Sequence, residues 1–384
     1  MSRITKKAVC GVAGIAASLT LTISGARAQS GAAQPGAPSG GVKMAEEVYK
    51  NIQVLKGVPA EQIPPTMQLI AASLGTQCSH CHVQGANEKD DKTPKEFARI
   101  MMKMVLDLNK NTFGDRMAIT CFTCHQGRNK PIAIANVIGA ELLPRALGED
   151  YLATLPPPPP VPSISTAQVF DKYIAALGGQ SALQKVPSLT ATGTVTQRRP
   201  GRDFPSNQIE IFSKAPGMGL TVTRAGQNEN LLAYGANGGW TRAGNTAPRD
   251  LRKAEADGTK LDDPFNLPVQ LKQVMLDAKM DHPEVIAGRE VYVMTGRTQN
   301  LPLVKAYFDK ESGMLVRLVY HTDTPFGPYP TQIEYRDFRD VGGRKVPYQW
   351  VSSQVRNREF TYAMQAVRAA EVDDTRFSRP GGTR

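Results

Sequence analysis

The sequence predicts a multidomain chain: a mainly α domain followed by an α+β domain with a curved antiparallel sheet. Three observations carry this expectation. Apolar residues recur at spacings of three and four through the first part, five consecutive prolines (Pro156 to Pro160) then interrupt the pattern, and beyond Leu189 the apolar period changes to two. With 384 residues, the chain is also long enough for more than one core.

Residues 1–28 read as a secretory signal peptide. Arg3, Lys6 and Lys7 give a basic start, an apolar stretch runs from Ala8 to Ile23, and Ala26-Arg27-Ala28 supplies a small-residue cleavage site. Export places the chain in the periplasm or another extracytoplasmic compartment. Residues 29–42 carry no charge and no aromatic ring and are rich in Gly, Ala, Pro and Ser, which predicts a flexible tether. The helical domain then spans 43–150 and a proline-rich linker 151–163. Pro156 to Pro160 with Pro162 form a stiff polyproline II spacer there, at about 3 Å per residue.

Within 43–150 three helical faces stand out: Val48, Ile52 and Leu55; then Met67, Ile70, Ala71 and Leu74; then Phe97, Met101, Met104, Val105 and Leu108. Pro65 suits a helix start and Gly75 a helix stop. The domain at 164–384 opens with one helix bearing Phe170, Ile174 and Leu177, stopped by Gly178 and Gly179. Alternating pairs follow (Ile209/Ile211, Leu220/Val222, Val291/Val293, Phe360/Tyr362/Met364), separated by turn residues, with a helical insertion near Pro268 to Met280. Asp309, Asp337 and Asp340 fall at expected turns or strand ends and are expected to be solvated.

Of five cysteines, Cys10 leaves with the signal peptide, and the remaining four form two Cys-x-x-Cys pairs. Disulfides or a four-cysteine zinc site are the plain alternatives. Neither accounts for the histidine that follows each pair. Cys78-Ser79-His80-Cys81-His82 and Cys121-Phe122-Thr123-Cys124-His125 both match Cys-x-x-Cys-His, the attachment signature of haem c. Two intervening residues let both thiols reach the two vinyl groups of one porphyrin, and the next residue puts an imidazole under the iron. Two covalently attached haems are therefore expected, with His82 and His125 as proximal ligands. His80, His282 and His321 read as surface or packing residues. Six methionines (Met44, Met67, Met101, Met102, Met104 and Met117) lie in 43–150. Met67 sits on an apolar helix 11 residues before Cys78, able to fold back over a distal haem face through Gly75; filling a core is the alternative role for all six.

The stretch VLKGVPAEQIPPTMQLIAASLGTQCSHCH, followed by ARIMMKMVLDLNKNTFGDRMAITCFTCHQG, resembles the cytochrome c subunit of photosynthetic reaction centres over residues 43–135. In that family a haem-binding unit is a helix with an axial methionine, a turn, and Cys-x-x-Cys-His. The resemblance implies a mainly α dihaem cytochrome c domain in which Met67 and His82 hold the first iron and Met101 and His125 the second, with Met104 and then Met102 as alternatives to Met101. The family's subunit carries four haems and this chain has two motifs, so a photosynthetic role does not follow from the likeness. In the second domain, VFDKYIAALGGQSALQKVPSLTATGTV, YFDKESGMLVRLV and EYRDFRDVGGRKVPYQW resemble half-barrel proteins of the lipoprotein-carrier type. That likeness implies a pocket for an acyl chain or for a partner's tail, against the simpler reading of a docking module.

His/Met ligation fills both axial positions, which points to electron transfer between redox partners, a membrane electron-transfer complex among the options, and away from catalysis. The alternatives are a peroxidase-like dihaem enzyme with one open iron, and a lipid- or partner-binding half-barrel fed by a cytochrome module. The formal charge of +11 divides into +4 in residues 1–28, +1 in 43–150 and +6 in 164–384, with no basic helix or basic-aromatic platform, which argues against nucleic acid as a partner.

Overall fold

The computed structural model describes residues 43–131, 159–199, 202–235, 238–355 and 358–380. The expected signal peptide, the tether, residues 132–150 and the first part of the proline linker lie outside the described residues. Ala37–Arg384 make up one compact unit, so the helical and sheet portions touch.

The helical portion opens with α1 (Ala45–Val48), a single turn. The expected helical face Val48–Ile52–Leu55 is not formed: Tyr49 is already extended and Asn51 takes a left-handed φ of 60°, so the chain turns instead. Leu55 is nevertheless buried there, while Val48 is exposed. Helix α2 (Ile63–Leu74) starts with Pro64 and Pro65 in its first turn, where proline lacks only an N–H that would have no partner anyway. Gly75 ends it in the left-handed conformation, φ 62°. Helix α3 (Thr93–Asn111) buries Lys95, Met102, Val105 and Asn109. Phe97, Ile100, Met101 and Met104 thus lie on its exposed side, which corrects the inward face expected for Phe97, Met101 and Met104. Helix α4 (Cys121–His125) is one short turn. Among the described residues no helix is long and apolar enough to cross a membrane.

The second portion begins with α5 (Thr166–Ala176), whose Ser165 cap exchanges hydrogen bonds with Gln168 (3.2 Å from Gln168 N to the Ser165 hydroxyl, 2.9 Å from Ser165 N to Gln168 Oε1). Gly178 turns the chain into α6 (Gly179–Lys185). An antiparallel sheet follows in up-and-down order: β1 (Ser188–Arg199), β2 (Arg202–Asp203), β3 (Asn207–Lys214), β4 (Met218–Ala225), β5 (Asn228–Gly235), β6 (Gly238–Ala243), β7 (Arg249–Asp250), β8 (Leu276–Met280), β9 (Glu284–Ile286), β10 (Arg289–Arg297), β11 (Val304–Asp309), β12 (Leu315–Thr324), β13 (Gly327–Val341), β14 (Arg344–Gln354) and β15 (Arg358–Ala369). The spatial order is β7-β6-β5-β4-β3-β1-β15-β14-β13-β12-β11-β10-β8, and the one long-range closure is β1 pairing with β15. The helical insertion is larger and earlier than expected. It comprises α7 (Lys253–Asp262) and α8 (Leu267–Val274), and Leu276–Met280 instead pairs with the edge of β10.

Helices α5, α7 and α8 cover one sheet face. Phe170 and Tyr173 meet Phe308 edge-on at 6.1 and 5.3 Å, and Phe265 meets Trp350 at 6.1 Å. Leu261, Phe265, Leu267 and Leu271 are at most 1% exposed. The void left beside Tyr173, Leu177 and Leu267 is about 10 Å³, room for one water, so an acyl chain fits there only if α7 and α8 move. Arg344, 2% exposed, donates to the carbonyls of Val186 (3.0 Å) and Phe265, fastening both helical layers to β14. Asp309 corrects another expectation: it is buried, accepting from Ser312 N and the Ser312 hydroxyl at 2.7 Å each, so its tight turn folds inward. Asp337 and Asp340 are exposed, as expected.

The two portions are keyed together by the β12–β13 hairpin. Its tip residue Phe326 is 0% exposed and belongs to the apolar cluster of the helical portion, with Leu55, Ile63, Met102 and Val105. Tyr329 donates to Gln68 on α2 at 2.7 Å, and Arg252 pairs with Glu61. Deleting a fully buried aromatic side chain costs about 3–5 kcal/mol, so Phe326→Ala should lower stability by that amount in chemical denaturation; a loss below about 1 kcal/mol means the tip is not an anchor. Three rungs from the turn of the same hairpin, burial of His321 beside Lys305 lowers its pKa below 6.5, and its Nδ1 has no partner. A depressed folded pKa means that the His321 contribution is fully present above pH 6.5 and is lost as the pH falls from there through the depressed value. His321→Gln should therefore flatten the fall in stability on acidification, read from denaturation midpoints across that interval.

Candidate functional site

Each Cys-x-x-Cys-His segment coils into one turn, which puts the first cysteine, the second cysteine and the histidine on a common side at i, i+3 and i+4. In the first segment Cys81 N and His82 N both donate to the Cys78 carbonyl, at 3.2 and 2.9 Å. In the second, α4 holds Cys121, Cys124 and His125, and Gln126 leaves in a left-handed conformation, φ 48°. Thr120 caps that turn: its N–H donates to the Thr123 hydroxyl at 3.0 Å, which accounts for the threonine spacing in Thr-Cys-x-Thr-Cys-His.

Both histidines are oriented by the same device. His82 Nδ1–H donates to the Asn87 carbonyl and His125 Nδ1–H to the Arg128 carbonyl, each at 3.0 Å. A carbonyl only accepts, so both rings carry a proton on Nδ1, and the neutral ring held this way has its lone pair on Nε2. That is the tautomer a metal-ligating imidazole needs, held by a partner on its far nitrogen.

His82 opens into a cavity of about 590 Å³ between α2, α3 and the loop after α1, a volume within the range of roughly 300–1,000 Å³ usual for cofactor sites. Met67 and Ile70 of α2, Met102 of α3, Cys78, Cys81 and His82 line it. The structure thus brings Met67 together with the first cysteine pair and its histidine. It also turns Met102 to this first cavity, whereas Met101 and Met104 occupy the exposed side of α3 at 42% and 43% exposure. Lys95 and Arg99 stand at the cavity wall and both pair with Asp90 at 2.9 Å. Hydrogen bonds from Arg99, Asn51 and Lys95 hold the Asp90 carboxyl well below the usual carboxylate range. Burial raises the thiol pKa of Cys81 and of Cys121. Among the described residues no three His, Cys, Asp or Glu side chains converge, so the two cysteine pairs do not assemble into one four-ligand metal cluster.

The second segment is positioned by groups that periodicity does not reveal. Buried Asn109 on α3 accepts from Ala118 N and Ile119 N at 2.9 Å each and donates to the Ile119 carbonyl at 2.7 Å, pinning the loop that leads into Cys121. Gly127 N–H donates to the Ser73 carbonyl at 2.8 Å, and the Gly127 carbonyl lies where a Cβ on Gly75 would sit. The end of α2 and the exit of the second haem-type turn therefore meet backbone to backbone. An exposed apolar stripe of Phe97, Ile100, Met101 and Met104 runs along α3, with Phe122 also exposed.

Gly75→Ala should destabilise by more than the left-handed strain alone, since its Cβ meets the Gly127 carbonyl. Gly85→Ala, at φ 79° in open space, should cost only that strain, about 1–2 kcal/mol. Equal denaturation midpoints for the two variants contradict the junction.

The model of the family described as photosynthetic reaction centre cytochrome C subunit matches residues 9–143. A photosynthetic reaction center cytochrome c subunit of Roseobacter denitrificans is 32% identical over 112 residues, covering 26% of this chain and 30% of that protein. The subunit of Thermochromatium tepidum is 35% identical over 101 residues, covering 25% of each. The chain therefore spans less than a third of the length of these curated relatives. Among solved structures, a LolA superfamily protein of Nitrosomonas europaea superposes with a TM-score of 0.42 at 10% identity, covering 56% of this chain and 98% of that one. The first third of the chain is similar to the cytochrome c subunits of photosynthetic reaction centres.

Proposed function

We propose that the protein is an extracytoplasmic dihaem c-type cytochrome that passes electrons between redox partners. The observation that carries this reading is the pair of Cys-x-x-Cys-His turns whose histidines both hold Nδ1–H on a backbone carbonyl and leave Nε2 bare. The first cavity fits the group by volume and by its donor set. Cys78 and Cys81 would hold one haem as thioethers, His82 and Met67 its iron; Cys121 and Cys124 would hold the other, with His125 and Met101 on its iron. A bound haem c supplies one-electron exchange, and His/Met ligation raises its potential.

The chain's own residues do the rest. Ile63, Ile70, Leu55 and Met102 wall the first site with apolar surface that keeps water from the ring face. Arg99, paired with Asp90, presents a guanidinium at the cavity wall, suited to a carboxylate of the kind every haem c carries. Met101, the candidate for the second iron, lies on the exposed apolar stripe of α3 with Phe97, Ile100 and Met104, one residue away from the inward-facing Met102, while Cys121 packs on the inward cluster with Met102 and Val105. The sheet portion serves as a scaffold that keys the haem-bearing helices through Phe326. The amino-terminal signal read in residues 1–28 supports export to the periplasm.

Pyridine haemochrome analysis of the purified chain should return two haems c; one or none sinks the proposal. Met67→His, which exchanges a thioether for a second imidazole, should lower the potential of one haem and leave the other in place in a potentiometric titration. Unmoved potentials remove Met67 from the iron.

A further inference from the structure

Lys95 is a charged side chain where an apolar one is expected. It lies on the inward stripe of α3, is 8% exposed, and belongs to the wall of the first cavity. All three of its donors are engaged: the Asn87 carbonyl at 2.8 Å, the Lys89 carbonyl at 2.7 Å and Asp90 Oδ1 at 2.9 Å. The Asn87 carbonyl is the same oxygen that accepts from His82 Nδ1 at 3.0 Å. One carbonyl therefore joins the ammonium group to the proximal imidazole.

We propose that Lys95 acts through the Asn87 carbonyl and His82 to raise the reduction potential of the haem held at Cys78 and Cys81. The inference rests on the haem reading above and adds a positioning residue to it. Two effects point the same way. A carbonyl oxygen already holding a charge-assisted hydrogen bond is a weaker acceptor for a second donor, so the His82 Nδ1–H proton is held less toward it. The imidazole keeps less anionic character, donates less to iron, and the reduced state gains. The ammonium charge, desolvated by burial, also opposes the extra positive charge of the oxidised state. Asp90 offsets only one of the two cations it touches, since both Lys95 and Arg99 pair with it. The second site lacks the device: the Arg128 carbonyl receives His125 Nδ1, and among the described residues no lysine or arginine side chain donates to it.

The competing role for Lys95 is to pin the 87–90 loop, which a potential measurement separates from tuning. Full-length Lys95→Met, Lys95→Gln and Lys95→Arg chains are loaded with haem, counted by pyridine haemochrome, and titrated spectroelectrochemically so that the two one-electron steps are resolved. Lys95→Met should lower one potential by about tenfold in its equilibrium constant, about 59 mV for one electron, with the other step unmoved. Lys95→Gln, keeping a neutral donor, should move the same step less far, and Lys95→Arg, keeping the charge, least of all. Unmoved steps in Lys95→Met overturn the inference, as does a shift in Lys95→Arg equal to that in Lys95→Met. Loss of one haem from both the Met and Gln variants also overturns it, by showing a residue that only holds the loop. A wild-type chain with fewer than two haems defeats the haem reading itself, which the count shows before any titration.

Discussion

The histidines of the two Cys-x-x-Cys-His turns can be held at a set separation only if the segments bearing them share a rigid reference, and here that reference is a contact between two glycines. Gly75 ends α2 in a left-handed turn, and the Gly127 carbonyl packs against the position its side chain would take. Gly127 N–H closes the contact on the Ser73 carbonyl, whose own hydroxyl folds back to the Leu69 carbonyl at 2.8 Å. His82 lies seven residues beyond Gly75, and His125 two residues before Gly127. Both imidazoles thus hang from one helix terminus. The hairpin of the sheet portion braces the same place, since a Cβ on Gly327 would come within 3.2 Å of Thr120, the cap of α4.

From that shared reference the two sites diverge in environment. The first is a partly open cavity walled by two helices, with Lys95 and Arg99 in its lining and Asp90 paired to both. At the second, Cys121 packs on the inward cluster with Met102 and Val105 while Phe122 and Cys124 are exposed. Solvent exposure and local charge are main determinants of a haem potential once the axial ligands are chosen, so a pair of sites with the same donor set need not be isoenergetic. On the dihaem reading proposed above, any difference in potential between the two sites would come from the surrounding protein and not from the ligands.

The two Cys-x-x-Cys-His turns were legible in the sequence because each is a local, contiguous pattern. Helix α2 was legible for a similar reason: its prolines, its apolar face and its terminal glycine all act within a few residues. What escaped were groups whose role depends on distant chain. Phe326 is far in sequence from the cluster it completes, and a Thr-Pro-Phe-Gly turn alone says nothing of its partner. Lys95 and Asn109 bond to backbone carbonyls that a loop brings to them, which leaves no periodic trace. The face read as Val48–Ile52–Leu55 had the right spacing, but Asn51 breaks the helix between its members. On α3 the apolar residues do keep helical spacing, yet they fall into two stripes, and spacing alone does not say which one the protein covers.

The outer stripe carries a cost for the chain before it is complete. Phe97, Ile100, Met101 and Met104 follow one another at i, i+3, i+4 and i+7, the arrangement by which amphipathic helices recognise each other in water. On the dihaem reading proposed above, a chain lacking its second haem would leave that apolar edge open to water.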